Sequence, residues 1–254
     1  LFAHERRQHA LLLAGAVLAL LALQLLIAVR APDLPTGELP ARVVFSALLL
    51  VVPLAWALLR GVWSVRREFA QATWTLLRSL PLGGGTVLFA KYAWLLTELA
   101  VLSALTLGGV FVFAGLDIGW SQVVRYEAGG RTFPVDARLV LEFAKLTLLA
   151  LLVLAPLPAV ALLTAVLSRR FGRGPNVLAG FAAYVLLIAL GAALTDLVRT
   201  LRPSWPGLAV GSSFQGVVAR GDALILPGEF IALSALFTLA LLWLAGRVFE
   251  GHGE

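Results

Sequence analysis

The sequence predicts an all-α membrane protein with six transmembrane helices, and three observations carry that expectation. Hydrophobic residues make up 60% of the 254 and charged residues only 13%, against roughly 45–50% and about 25% in ordinary globular chains. The apolar residues gather into runs of at least about 20, the length a helix needs to cross a bilayer. Within each run they are continuous and rich in Leu and Ala, without the alternation that marks the strands of a membrane barrel. A helix also satisfies its backbone polar groups internally, as hydrocarbon requires.

Taken in order, the runs lie at about residues 10–29, 43–62, 87–115, 139–167, 177–197 and 229–248, so the whole chain, 1–254, reads as one transmembrane domain. The first is too long for a signal-peptide core and no small-residue cleavage site follows it. A Pro-rich link at 30–42 (Pro32, Pro35, Pro40) is too stiff and polar to be a domain. The third and fourth runs are long enough to tilt, and Pro156 and Pro158 are expected to bend the fourth. Residues 116–138 have room for a short hairpin around Gly129-Gly130. Residues 198–228, half apolar and Gly-rich, are too interrupted for a crossing and too greasy for an open loop. They predict a re-entrant or interfacial segment before the sixth span. Trp56, Trp63, Trp94, Trp120 and Trp243 mostly sit near run ends, as an aromatic belt would.

Six crossings put both termini on one side, and the charge balance chooses which. The side holding the termini carries Arg6, Arg7, Arg60, Arg66, Arg67, Arg78, Lys91, Arg169, Arg170, Arg173 and Arg247, against Glu5, Glu68, Glu250 and Glu254, a net of +7. On the opposite side eight arginines are cancelled by eight carboxylates. Both termini and residues 63–86 are therefore expected to be cytoplasmic.

Several chemistries are disfavoured at once. There is no cysteine, hence no disulfide framework, thiolate metal site or cysteine nucleophile. His4, His9 and His252 all lie near the termini, which argues against an intramembrane haem, zinc or general-base site. The net charge of +6 is scattered between apolar runs rather than gathered on one polar face, so nucleic acid is not an expected partner. "GSSF" at 211–214 lacks the histidine and the elbow of a serine hydrolase. No catalytic residue and no metal ligand is expected, and the lipid bilayer is the first partner.

The stretch "REFAQATWTLLRSLPLGGGTVLFAKY", residues 67–92, interrupts this apolar pattern. At 100° per residue, positions 64–80 resolve into two faces. Val65, Phe69, Ala72, Leu76 and Leu80 form an apolar stripe, and Ser64, Arg67, Glu68, Gln71, Thr75 and Arg78 lie opposite, with Trp74 on the border. Pro81 stops the helix and Gly83-Gly84-Gly85 let the chain turn into the third span. A helix along the membrane face is the expectation, and an interfacial connector is its simplest reading.

The same residues resemble the cytoplasmic signature of ABC-2 type transporter permeases. In that family a Glu, a Gly-Thr pair, Leu-Leu and Leu-Pro precede a Lys that opens the third span. Glu68, Thr73, Leu76, Leu77, Leu80, Pro81 and Lys91 match, with Ala72 where the family often has Gly. The basic amphipathic start and the greasy segment before the last span, "RGDALILPGEF", are similar too. The resemblance implies an ABC-2 exporter fold in a prokaryotic cytoplasmic membrane. The amphipathic helix would be a coupling helix docking into a separate ATP-binding cassette subunit. Arg67, Glu68, Phe69, Gln71, Thr73, Trp74, Leu77, Arg78, Leu80 and Pro81 would make or support that contact. A second permease copy, identical or related, completes such exporters. The chain would bind no cofactor, since ATP and Mg belong to the partner; "LGGGTVLFAKY" lacks the Gly-Lys-Ser/Thr of a phosphate loop. A lipophilic or amphipathic substrate suits walls of Leu, Val, Phe and Ala.

Glu98 stands deep in the third run, where an ionised carboxylate is costly. It lines a substrate path or a permease dimer seam, or else it is protonated or hydrogen-bonded to a neighbouring helix. Glu142 and Lys145, three apart, are expected to pair, as are Asp196 and Arg199. Two rival readings remain: an ion- or proton-coupled secondary transporter built on Glu98, and a permease of the haem-exporter type.

Overall fold

The computed structural model describes residues 2–31, 40–70, 84–119, 127–128, 131–132, 136–170, 177–201, 208–210 and 224–250. Helix α1 is Phe2–Arg30, α2 Ala41–Leu48, α3 Val51–Ala70 and α4 Gly84–Ala114, the last followed by a π-helical turn, Gly115–Gly119. Strands β1 (Glu127–Ala128) and β2 (Arg131–Thr132) come next, then α5 (Asp136–Leu154), α6 (Pro156–Arg170) and α7 (Val177–Leu201). Strands β3 (Leu208–Val210) and β4 (Leu224–Leu226) precede α8, Gly228–Glu250. Among the described residues, six stretches are long and apolar enough to cross a bilayer: Ala10–Arg30, Ala41–Arg67, Gly84–Asp117, Phe143–Ser168, Gly180–Leu197 and Gly228–Glu250. These are the six expected runs, and the fold is the helical one of a multi-pass membrane protein.

Prolines divide two of the spans. Pro53 has no N–H to give Leu49, so α2 and α3 are joined by tighter bonds, Leu49 N–H to Ser46 O, Leu50 N–H to Ala47 O and Val52 N–H to Leu49 O. Ala155 separates α5 from α6 immediately before Pro156, where the proline ring disfavours helical geometry for the preceding residue. The expected hairpin is present: β1 and β2 run antiparallel, Glu127 opposite Thr132 and Ala128 opposite Arg131.

Three expectations need correction. Residues 64–70 do not start a separate surface helix; they continue α3 from the second span. No proline falls between Leu54 and Ala70, and Val62 and Val65 are buried in the same cluster as Leu88 and Tyr92, which keeps the helix in the bundle. Ser64, assigned to the polar face, is buried and donates to Gly61 O instead. Gly84 and Gly85 are not turn residues either, because α4 already starts at Gly84. In the stretch before the last span, the described part after Leu201 is β3 paired with β4 and the lead into α8; 202–207 and 211–223 lie outside the described residues.

The chain forms two compact units, one of Leu1–Pro53, Ala100–Ala150 and Leu208–Ile225, the other of Leu54–Leu99, Leu151–Gly207 and Leu226–Glu254. In the first, Val43 of α2 is buried with Phe111, Phe113 and Ala114 of α4, and Ile27 and Ala28 of α1 pack on them. Arg42 Nη1 lies 2.9 Å from Asp117 Oδ1, tying the start of α2 to the π-helical turn that follows α4. Gln24 of α1 donates to the Leu105 carbonyl at 2.9 Å, and Gly109 makes the room, since a Cβ there would strike the Gln24 amide. Side-chain bonds of this kind hold helices together where lipid removes the hydrophobic drive. Most of the α1 leucines, Leu11, Leu18 and Leu25 among them, stay exposed.

In the second unit α6, α7 and α8 pack on one another. One buried cluster joins Val62 and Val65 of α3, Leu88 and Leu95 of α4, Leu162 and Val166 of α6, and Leu242 and Phe249 of α8. A second joins Ala57 and Leu58, Leu99, Leu157 and Val160, and Tyr184 of α7. Small residues permit close approaches: a Cβ on Gly246 would lie 2.8 Å from Gly85 Cα, so α8 and the foot of α4 touch through backbone. There the Gly84 N–H, an orphan donor of the first turn, meets Glu250 Oε1 at 2.7 Å.

Candidate functional site: a buried carboxylate between two indoles and a guanidinium

Glu98 is wholly buried in the second unit. Its α4 neighbours Leu95 and Leu99 belong to the two apolar clusters, so the helix turns this face inward. Arg60, ten residues before the end of α3, is buried opposite it. Glu98 Oε1 accepts from Trp94 Nε1 at 2.8 Å and from Arg60 Nη2 at 3.2 Å. Oε2 accepts from Trp56 Nε1 at 2.8 Å and from Arg60 Nε at 3.4 Å. Each oxygen therefore receives one indole and one guanidinium N–H. The Arg60 guanidinium also stands over the Trp56 ring, 5.7 Å from its centroid.

The two kinds of bond differ in quality. The indole bonds are short, whereas the guanidinium bonds exceed the roughly 2.7–2.9 Å of an ideal charge-assisted contact. The indoles supply direction and Arg60 supplies the neutralising charge. A lone charge at the centre of a span costs about 2.5–3.5 kcal/mol on insertion scales, and pairing removes the need to carry two of them. A carboxylate so enclosed holds helices together; its acceptor positions are taken up by the chain itself. Of the two readings of Glu98, the geometry displays the bond to a neighbouring helix.

Sequence reasoning put Arg60 on the membrane surface and Trp56 and Trp94 in the aromatic belt. All three belong to this cluster instead, while Trp63 and Trp243 are exposed as belt residues would be. The missed signal is a spacing. Trp56 precedes Arg60 by four residues and Trp94 precedes Glu98 by four, and residues four apart share one face of a helix. Two opposite charges inside adjacent apolar runs, each with a tryptophan beside it, have a reason to meet.

The other expected site residues are placed less fully. Arg67 is half-buried near the described end of α3, and Glu68 and Phe69 continue that helix. Gln71, Thr73, Trp74, Leu77, Arg78, Leu80 and Pro81 lie outside the described residues. The side chains of Glu142 and Arg199 are outside them too, so neither expected pair is resolved. Arg247 stacks on Trp243, 5.5 Å from the ring centroid. Among the described residues, no group of three or more His, Cys, Asp or Glu side chains comes together to hold a metal. No family model, curated protein or solved structure matches the chain.

Proposed function

We propose that the chain is the membrane-spanning subunit of an ATP-binding cassette exporter of the ABC-2 type, moving a lipophilic or amphipathic substrate out of the cytoplasm. The observation that carries this reading is the Glu68–Pro81 signature lying between the second and third of six apolar spans. A coupling contact needs a segment that joins two spans and carries both charge and an aromatic anchor. Residues 68–83, with Arg78 and Trp74, have that composition, and those from 71 on follow α3 directly. Buried ties between the flanking helices at Glu98 and Arg60 support the reading, because force applied to a loop does work only if its helices are stiff.

On this reading Arg67, Glu68, Gln71 and Arg78 face the ATPase, Trp74 and Phe69 anchor it, and ATP and Mg stay on the partner. A second permease copy completes the assembly, in a prokaryotic cytoplasmic membrane with both termini inside. Purification of the chain from its native membranes with any ATP-binding cassette subunit it holds, followed by reconstitution in liposomes, is the test. ATP-dependent accumulation of an amphipathic dye supports the exporter. Transport driven by a proton gradient without any ATPase supports a coupled carrier, for which the intramembrane Glu98–Arg60 pair is the one favouring observation.

A further inference from the structure

Arg60 and Glu98 join the helices that lead into and out of the segment assigned to the ATPase. Arg60 stands ten residues before Ala70 and Glu98 fourteen after Gly84. At about 1.5 Å per residue, the contact lies about 15 Å along α3 and about 21 Å along α4 from that segment. A second tie holds the foot of α4, where Gly84 N–H meets Glu250 Oε1 and α8 packs on Gly85.

We propose that Arg60 and Glu98 are positioning residues: their bidentate contact, flanked by Trp56 and Trp94, braces α3 and α4 so that both move as one lever when the ATPase acts on the segment between them. This rests on the exporter reading. Helices joined only by apolar side chains slide or rotate readily, because one set of methyl contacts replaces another and lipid is as apolar as leucine. The Glu98 contact fixes both register and rotation. A shift of one residue would carry the indole and guanidinium donors off a carboxylate that is wholly buried from solvent. Motion imposed at the foot of α3 is then delivered to α4 rather than lost between them.

The cluster has an internal near-symmetry that makes the idea testable. Each charge has a tryptophan four residues before it on its own helix. Exchanging the charges, Arg60→Glu with Glu98→Arg, keeps a carboxylate beside a guanidinium and between two indoles. Replacing both by apolar residues, Arg60→Met with Glu98→Leu, keeps volume but removes the brace, a change that folded proteins often tolerate.

The experiment uses the full chain in lipid nanodiscs, with nitroxide labels on cysteines at Arg66 and Ala90. Both positions are exposed, one on α3 and one on α4, and the chain has no other thiol. The label-to-label distance distribution should be narrow in the parent and in the charge-exchanged chain, and at least twice as broad in the Met/Leu chain. In the reconstituted complex, transport per ATP should fall at least tenfold for Met/Leu and recover in the exchanged chain, with the ATPase still bound in both. An equally narrow distribution in the Met/Leu chain, or normal transport by it, overturns the proposal. A parent chain with no ATP-driven transport overturns the exporter reading alone, and the distance distributions then decide the brace by themselves.

Discussion

Gly61 and Ala161 lie so close that a Cβ built on Gly61 would stand 2.5 Å from the Ala161 Cβ. The next residue back is Arg60, so the same turn of α3 that carries the buried guanidinium is pressed against α6 by a glycine. Small residues at such crossings let helix backbones approach, which is how spans associate in lipid.

Gly61→Val should therefore destabilise the bundle by about 1–3 kcal/mol through overpacking. Ala161→Gly in the same chain should recover part of the loss by removing the atom that is struck. Denaturation midpoints in mixed micelles measure both. A Gly61→Val chain as stable as the parent would remove the close approach from the account.

Single truncations in the Glu98 cluster should cost more than the double one. Glu98→Leu leaves a buried guanidinium without its carboxylate, a loss of about 3–5 kcal/mol. Adding Arg60→Met should recover most of it, so the two changes are strongly non-additive in a double-mutant cycle. Additive losses would show that the two residues do not act together.

Glu250→Gln removes the negative charge from the first turn of α4 while keeping an oxygen that can accept from Gly84. The change should cost about 0.3–2 kcal/mol, the range for a charge at a partly buried helix end. Faster amide exchange confined to the first turn of α4 is the expected signature. Unchanged exchange there would make the carboxylate incidental.

Sidedness gives a fourth test. Cysteine at Arg66, exposed on α3, should resist an impermeant maleimide applied from outside, whereas cysteine at Gly129, between β1 and β2, should react. The reverse pattern would invert the topology and remove residues 68–83 from the cytoplasm.

The spans were legible in the sequence because lipid imposes one requirement, about 20 apolar residues in a row, that no other part of the chain meets. Pro156 announced its break for an equally local reason, and Gly129-Gly130 its hairpin. What stayed hidden depended on which faces meet. Arg60 reads as a surface charge, because a basic residue near a run's end ordinarily snorkels to the interface. Its partner lies 38 positions away in another run, and only the packing brings the two together. Val65 and Ser64 belonged to one amphipathic pattern by periodicity, yet both are buried, since a helix inside a bundle is covered on more than one side. Gly84 read as a turn because glycine serves turns and close contacts alike. Phe249 Cδ1, 2.8 Å from where a Gly84 Cβ would be, shows which use applies here.

The partnership with an ATPase is the central claim, and charge reversal on the contact segment tests it most directly. Arg67→Glu with Arg78→Glu changes two positions assigned to the ATPase-facing side. Arg67 sits near the end of α3 and lies in neither apolar cluster. Like charges brought together at an interface can cost several kcal/mol, so the double variant should insert at normal yield and lose its ATPase on affinity purification. Leu77→Ala, without a change of charge, should keep more of it. A charge-reversed chain that retains a full complement of ATPase, or a parent chain that never binds one, would contradict the exporter account and leave residues 68–83 as a plain connector between two spans.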